Sequence, residues 1–134
     1  MPNPPKLDPA RGTRGRGPQK LPSEGRQGET PPWPLPGKVY AAEREAWAQL
    51  WRTPQAVAWE RLGWTRTVAR YCRAMVVAER PGAAAPLLGA VTAMEDRLGL
   101  TPKSMRLLLW EITSDEVGDK RVESAGVRGR IKAV

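Results

Sequence analysis

Apolar residues recur at spacings of three and four from Val39 to Ile112, and on either side of those limits the recurrence stops. VYAAEREAWAQLWR (Val39–Arg52) puts Val39, Ala42 or Glu43, Ala46, Trp47, Leu50 and Trp51 at helical spacing, with Glu43, Arg44 and Glu45 on the other face. Thr53-Pro54 reads as an N-cap followed by Pro at the first helical position. It opens a short helix, PQAVAWERL (Pro54–Leu62), that offers Val57, Ala58, Trp59 and Leu62 for burial and stops at Gly63 as a left-handed cap. TRTVARYCRAMVVAER (Thr65–Arg80) aligns Val68, Tyr71, Cys72, Met75, Val76 and Glu79, and Pro81-Gly82 breaks it.

AAPLLGAVTAMEDRLGL (Ala84–Leu100) carries a stripe of Leu87, Val91, Met94 and Leu98 and ends at Gly99. Thr101-Pro102 then repeats the earlier start signal and opens PKSMRLLLWEI (Pro102–Ile112), with Met105, Leu108, Leu109 and Ile112 on one side. No run alternates strictly enough to predict a strand. The expected fold is all-α: a small helical bundle of about five helices over residues 38–113. A disordered basic arm (1–37) precedes it and a flexible tail (114–134) follows it.

The arm follows from composition. Residues 1–37 hold ten of the fourteen prolines and six of the thirteen glycines, too little apolar surface to offset the entropy of ordering. Pro9–Lys20 is a Gly/Arg run whose Arg11, Arg14, Arg16 and Lys20 suit non-specific phosphate contact; a solubilising tail is the alternative. In PPWPLPGK (Pro31–Lys38), Trp33 and Leu35 can pack back on the helices as an extended strap; a polyproline ligand is the other reading.

The whole chain has 134 residues and a net charge of +8, which favours a polyanionic partner. The absence of histidine and the lone Cys72 rule out a disulfide within the chain, the usual zinc sets and a Ser-His or Cys-His catalytic pair. No Walker-type phosphate loop appears, and no apolar run approaches the roughly 20 residues of a membrane helix. Pro/Gly-rich MPNPPKLDPARG lacks the apolar stretch of a secretory signal. Neither catalytic residues nor a metal nor a cofactor is expected. Adjacent Glu95 and Asp96 point about 100° apart on a helix and read as a charged helix end.

Two features point outward. Trp47, Trp51, Trp59, Trp64 and Trp110 are many indoles for a core of this size, so part of their surface is expected to face a second copy; a dense internal core is the alternative. AWERLGWTRTVARY (Ala58–Tyr71) invites a helix-turn-helix reading with Arg66, Thr67 and Arg70 at the start of a recognition helix. The common pattern wants a small residue four before the turn glycine and an apolar one six after. Here those places hold Trp59 and Ala69, with Val68 one position early.

Three stretches, WPLP…AEREAWAQLWRTPQAVAWE (Trp33–Glu60), VARYCRAMVVAE (Val68–Glu79) and above all MEDRLGLTPKSMRLLLWEI (Met94–Ile112), resemble the small terminase subunit of tailed bacteriophages, particularly phages of high-GC actinobacteria. The resemblance covers about residues 34–112, and its most specific part is the hinge Leu98, Gly99, Leu100, Thr101 and Pro102 between two helices. It implies a non-catalytic subunit, in the cytoplasm of the infected host, that binds double-stranded viral DNA at the packaging site. It also implies a homo-oligomeric ring and recruitment and regulation of the large terminase subunit, which carries the ATPase and nuclease. On this reading Leu98, Gly99, Thr101, Pro102 and Trp110 serve the hinge and subunit contact, and residues 114–134 are available to the large subunit. Arg61, Arg66, Arg70 and Arg73, with Arg11, Arg14, Arg16 and Lys20, would contact phosphate. That DNA assignment rests on charge alone. A dimeric helix-turn-helix transcription regulator and a helical phage adaptor, such as a head-completion subunit, are the competing readings.

Overall fold

The structure, a computed structural model, describes residues 17–114. Arg11, Arg14 and Arg16 of the arm, and residues 115–134 of the tail, lie outside them. The described chain is mostly helical. Strand β1 (Gln19–Pro22) comes first, then helices α1 (Ala41–Leu50), α2 (Gln55–Leu62), α3 (Thr65–Ala78), α4 (Ala85–Arg97) and α5 (Pro102–Leu108), then strand β2 (Trp110–Thr113). Helix α3 is central and packs chiefly against α1 and α4.

The strands correct the all-α expectation. β1 and β2 pair in parallel, Gln19 with Trp110 through Pro22 with Thr113, and the whole helical region forms the connection between them. The helix expected to run to Ile112 ends at Leu108. Leu109 takes a left-handed φ of 58°, and the chain straightens into β2. The apolar run Leu107–Trp110 hid that stop. A long connection, not local alternation, brings the two four-residue strands together, so neither announces itself in sequence.

The glycine stops behave as expected, for a visible reason. At the end of α2, Gly63 has φ 71°, its N–H reaches the Glu60 carbonyl at 3.2 Å, and the Trp64 N–H reaches Trp59 at 2.9 Å. At the end of α4, Gly99 has φ 73°, its N–H reaches Asp96 at 3.3 Å, and Leu100 reaches Glu95 at 2.9 Å. Both are Schellman closures, which satisfy orphan carbonyls with a left-handed residue. Thr101 then starts α5 with a capping box. Its hydroxyl oxygen accepts the Ser104 N–H, and the Ser104 hydroxyl oxygen accepts the Thr101 N–H, each at 3.2 Å. Thr53 does not repeat this: its hydroxyl donates back to the Leu50 carbonyl at 2.7 Å, and α2 starts without a side-chain cap.

Residues 17–37 correct the expectation of disorder. Leu21 of β1 is fully buried. Gly25 (φ 84°) lies so close to the Arg52 carbonyl oxygen that no Cβ fits. The Arg26 guanidinium donates to both carboxylate oxygens of Glu60, at 2.9 and 3.0 Å. Trp33 and Leu35 pack on the core, as expected for a strap. The Pro31 carbonyl accepts the Trp47 indole N–H at 2.7 Å. A few anchors outweigh a composition that, averaged over the segment, reads as disordered.

The tryptophans also turn inward. Trp33, Trp47, Trp51 and Trp59 form a ladder of edge-to-face contacts with ring centroids 5.1, 5.4 and 5.8 Å apart. Trp64 lies 6.1 Å from Trp110. Trp47, Trp51, Trp59 and Trp110 are buried and Trp64 is half-buried. Tryptophan exposure therefore gives no ground for a subunit contact, because the strap and β2 cover the indoles from within the chain. Two further burial expectations change. Leu62 is 50% exposed at the end of α2, while Glu43, assigned to the polar face, is buried.

Gly99 and Gly63 share a backbone conformation but not an environment. A Cβ at Gly99 would fall on the Trp110 ring, whereas one at Gly63 meets nothing. Gly63→Ala should cost about 1 kcal/mol from its left-handed φ alone. Gly99→Ala should cost about 3 kcal/mol, because overpacking adds to the same strain. Urea midpoints at constant m-value measure both; equal losses would contradict the packing of Gly99 on Trp110.

Candidate nucleic-acid interface

The arginines divide by what they touch. Arg73, on α3, donates from Nε to Glu43 Oε2 at 2.8 Å and from Nη2 to the Lys38 carbonyl at 3.3 Å. Its guanidinium also lies 5.3 Å from the Trp33 ring centroid. It locks the strap onto α1 and α3 and neutralises a carboxylate whose side chain is only 6% exposed. Arg26 does the corresponding work at α2, stacked 5.5 Å from Trp51. The hydrogen bonds between Arg26 and Glu60 raise the pKa of the guanidinium and lower that of the carboxyl.

Arg61, Arg66 and Arg70 are exposed and make no ion pair among the described residues. Arg61 sits in the last turn of α2, where a cation suits the helix dipole. Arg66 sits in the first turn of α3, which carries no acid. A cation there costs a few tenths of a kcal/mol, and it adds to the positive helix end to favour an incoming anion. Arg66 and Arg70 are one turn apart on one face, and the neighbouring Thr67 is also exposed. Lys20, also exposed, stands in β1 across from Glu111 in the strand register.

The junction between α2 and α3 is only Gly63 and Trp64. A DNA-reading helix-turn-helix uses a turn of three or four residues. Trp64 is pinned near Trp110, which fixes the start of α3 and leaves its arginines outward.

The hinge residues are internal. The Leu98 carbonyl accepts the Trp59 indole N–H at 2.8 Å, and the Gly99 carbonyl accepts Gln55 Nε2 at 3.2 Å. Leu98, Gly99 and Trp110 are buried, Thr101 is half-buried and Pro102 is exposed. The first three thus shape the hinge from inside one chain and offer no surface to a neighbour. The paired acids are structural too: Glu95 accepts the Tyr71 hydroxyl at 3.2 Å and Asp96 accepts the Thr101 hydroxyl at 2.6 Å. Among the described residues no group of three or more His, Cys, Asp or Glu could hold a metal ion, and no helix is long and apolar enough to cross a membrane.

Sequence reasoning missed Lys38, Tyr40 and Arg80, which gather where α1 begins and α3 ends. The signal was available: Arg80 continues the spacing of Arg66, Arg70 and Arg73 along one helix face. No family model, curated protein or solved structure matches this chain.

Cys72 is buried, and its thiol donates toward the Glu43 carbonyl oxygen at 3.4 Å. Burial first, and Glu43 second, push its pKa from 9.0 up to about 12. Burial and Glu95 likewise raise the Tyr71 phenol. The folded thiol therefore keeps a proton that the unfolded chain loses, so stability should fall as the pH rises from about 9 toward 12. At about pH 8 a disulfide reagent should leave the native thiol untouched and modify it once urea unfolds the chain. Rapid modification of the native protein would contradict the burial.

Proposed function

We propose that the chain is a nucleic-acid-binding subunit that meets duplex DNA through the exposed arginines at the α2–α3 junction. One observation carries this reading: Arg61, Arg66 and Arg70 are exposed and make no ion pair among the described residues, while Arg26 and Arg73 are consumed by the fold. A net charge of +8 supports it, since phosphate neutralisation supplies most non-specific affinity. The two-residue junction favours contact with the DNA backbone over insertion of a recognition helix. Arg11, Arg14 and Arg16 would add phosphate contacts.

The finer proposal is the small terminase subunit, on the strength of the resemblance across residues 34–112. In that role the chain binds viral DNA at the packaging site in the infected host's cytoplasm. It presents that DNA to the large subunit, performs no catalysis of its own and works as a ring. Apolar side chains left exposed beside the hinge, Leu107, Leu109 and Ile112, support a protein contact at the α5–β2 edge. The unit that assembles would be a bundle of about five helices.

Replacing Arg61, Arg66 and Arg70 together by Ala should flatten the plot of log affinity against log salt by about two to three for duplex DNA. Helix content and urea midpoint should stay unchanged. Arg73→Ala should do the reverse. It strands the buried Glu43 carboxylate and should lower stability by about 2–4 kcal/mol. A triple variant with the wild-type slope would contradict the proposed interface.

A further inference from the structure

The arginine face does not stop at Arg70. Arg66, Arg70, Arg73 and Val77 follow one another at four, three and four residues, and Arg80 continues the same line just past the end of α3. From Arg66 to Arg80 the line runs about 21 Å. At its far end lies a recess of about 460 Å³, lined by Tyr40, Glu43, Arg73, Val76, Val77 and Arg80.

Tyr40 is the unusual member. It precedes α1 with extended backbone and makes no side-chain capping bond there. The residue is 58% exposed, and the Lys38 ammonium lies 5.4 Å from its ring centroid. The chain covers its six tryptophans by packing, yet leaves this aromatic ring in water beside two cations, Lys38 and Arg80, and the neutral Arg73–Glu43 pair. Glu43 adds no free negative charge, because its buried carboxylate is held by Arg73. Val76 and Val77 give the recess an apolar wall beside the ring.

We propose that this recess is a base-stacking site for single-stranded nucleic acid. Tyr40 would be the platform, with Lys38 and Arg80 holding the flanking phosphates. The inference rests on the nucleic-acid reading and adds a second mode to it. An exposed ring set in a basic groove is the combination that holds unpaired strands, since every base has a face to stack and every linkage a charge to meet. A paired base cannot reach such a ring, because its faces are already covered within the duplex. The volume lies within the range of small-ligand sites.

The test uses the full chain and three labelled probes: an oligothymidylate of about twelve nucleotides, an abasic strand of the same length and charge, and a duplex. Anisotropy should show the wild type binding the oligothymidylate at least about fivefold more tightly than the abasic strand. Tyr40→Ala should abolish that preference, Tyr40→Phe should keep it, and Arg80→Ala should weaken both single strands alike. Equal wild-type affinity for the two strands would overturn the site, and so would a preference that survives Tyr40→Ala. If duplex binding still depends on Arg61, Arg66 and Arg70 in that case, only the stacking site fails. If no probe binds in a salt-dependent way, the nucleic-acid reading falls and takes the site with it.

Discussion

The Trp59 indole joins the parts of this small fold that would otherwise be separate. Its ring is fully buried and meets the edge of Trp51, the next rung of a ladder that runs out to the strap at Trp33. Its N–H ends on the Leu98 carbonyl, at the bend between α4 and α5. One side chain thus ties α2 to the strap through packing and to the hinge through a hydrogen bond. The bend itself needs both a left-handed residue and no side chain, because Trp110 fills the space where a Cβ would stand. Gly99 meets both needs, and Gln55 binds its carbonyl from α2. By contrast, Trp51 Nε1 is buried with no hydrogen-bond partner among the described residues.

Charge is distributed around this apolar frame with a division of labour. Two arginines lie against indole faces and carboxylates, and their positive charge is used to hold the strap down. The remaining arginines of the α2–α3 junction form no ion pair among the described residues; Arg61 gains only a favourable place at the end of α2, and Arg66 sits at a helix end that disfavours it. Charge that stabilises nothing internally is the charge available to a partner. The same logic singles out Tyr40, an aromatic left in water by a chain that buries every other large ring it can.

The helix stops at Gly63 and Gly99 and the start at Thr101 were legible because they rest on local backbone chemistry. Gly63 and Gly99 need positive φ, and Thr101-Pro102 supplies a cap and a preset φ. What escaped the sequence was non-local. β1 and β2 are four residues each and meet across some ninety residues of chain, so no alternation marks them. Leu109 looked like one more apolar position of a helix, yet it takes the left-handed turn that frees β2. Glu43 read as polar surface because its partner lies on another helix. Residues 17–37 read as disordered because composition averages away four or five anchoring side chains. At the candidate interface, Arg61, Arg66 and Arg70 were recognisable by charge and spacing. That Arg73 is tied into the fold was not, since only the fold brings Glu43 and Trp33 to it.

Arginine-selective modification by phenylglyoxal, read peptide by peptide with and without duplex DNA, tests this division most directly. Without DNA, Arg26 and Arg73 should react slowly and Arg61, Arg66 and Arg70 quickly. With DNA, the second group should become protected while the first stays unchanged. If DNA left Arg61, Arg66 and Arg70 as reactive as before, or if Arg73 reacted as fast as Arg70 in the free protein, the separation of fold-holding from partner-facing arginines would be wrong.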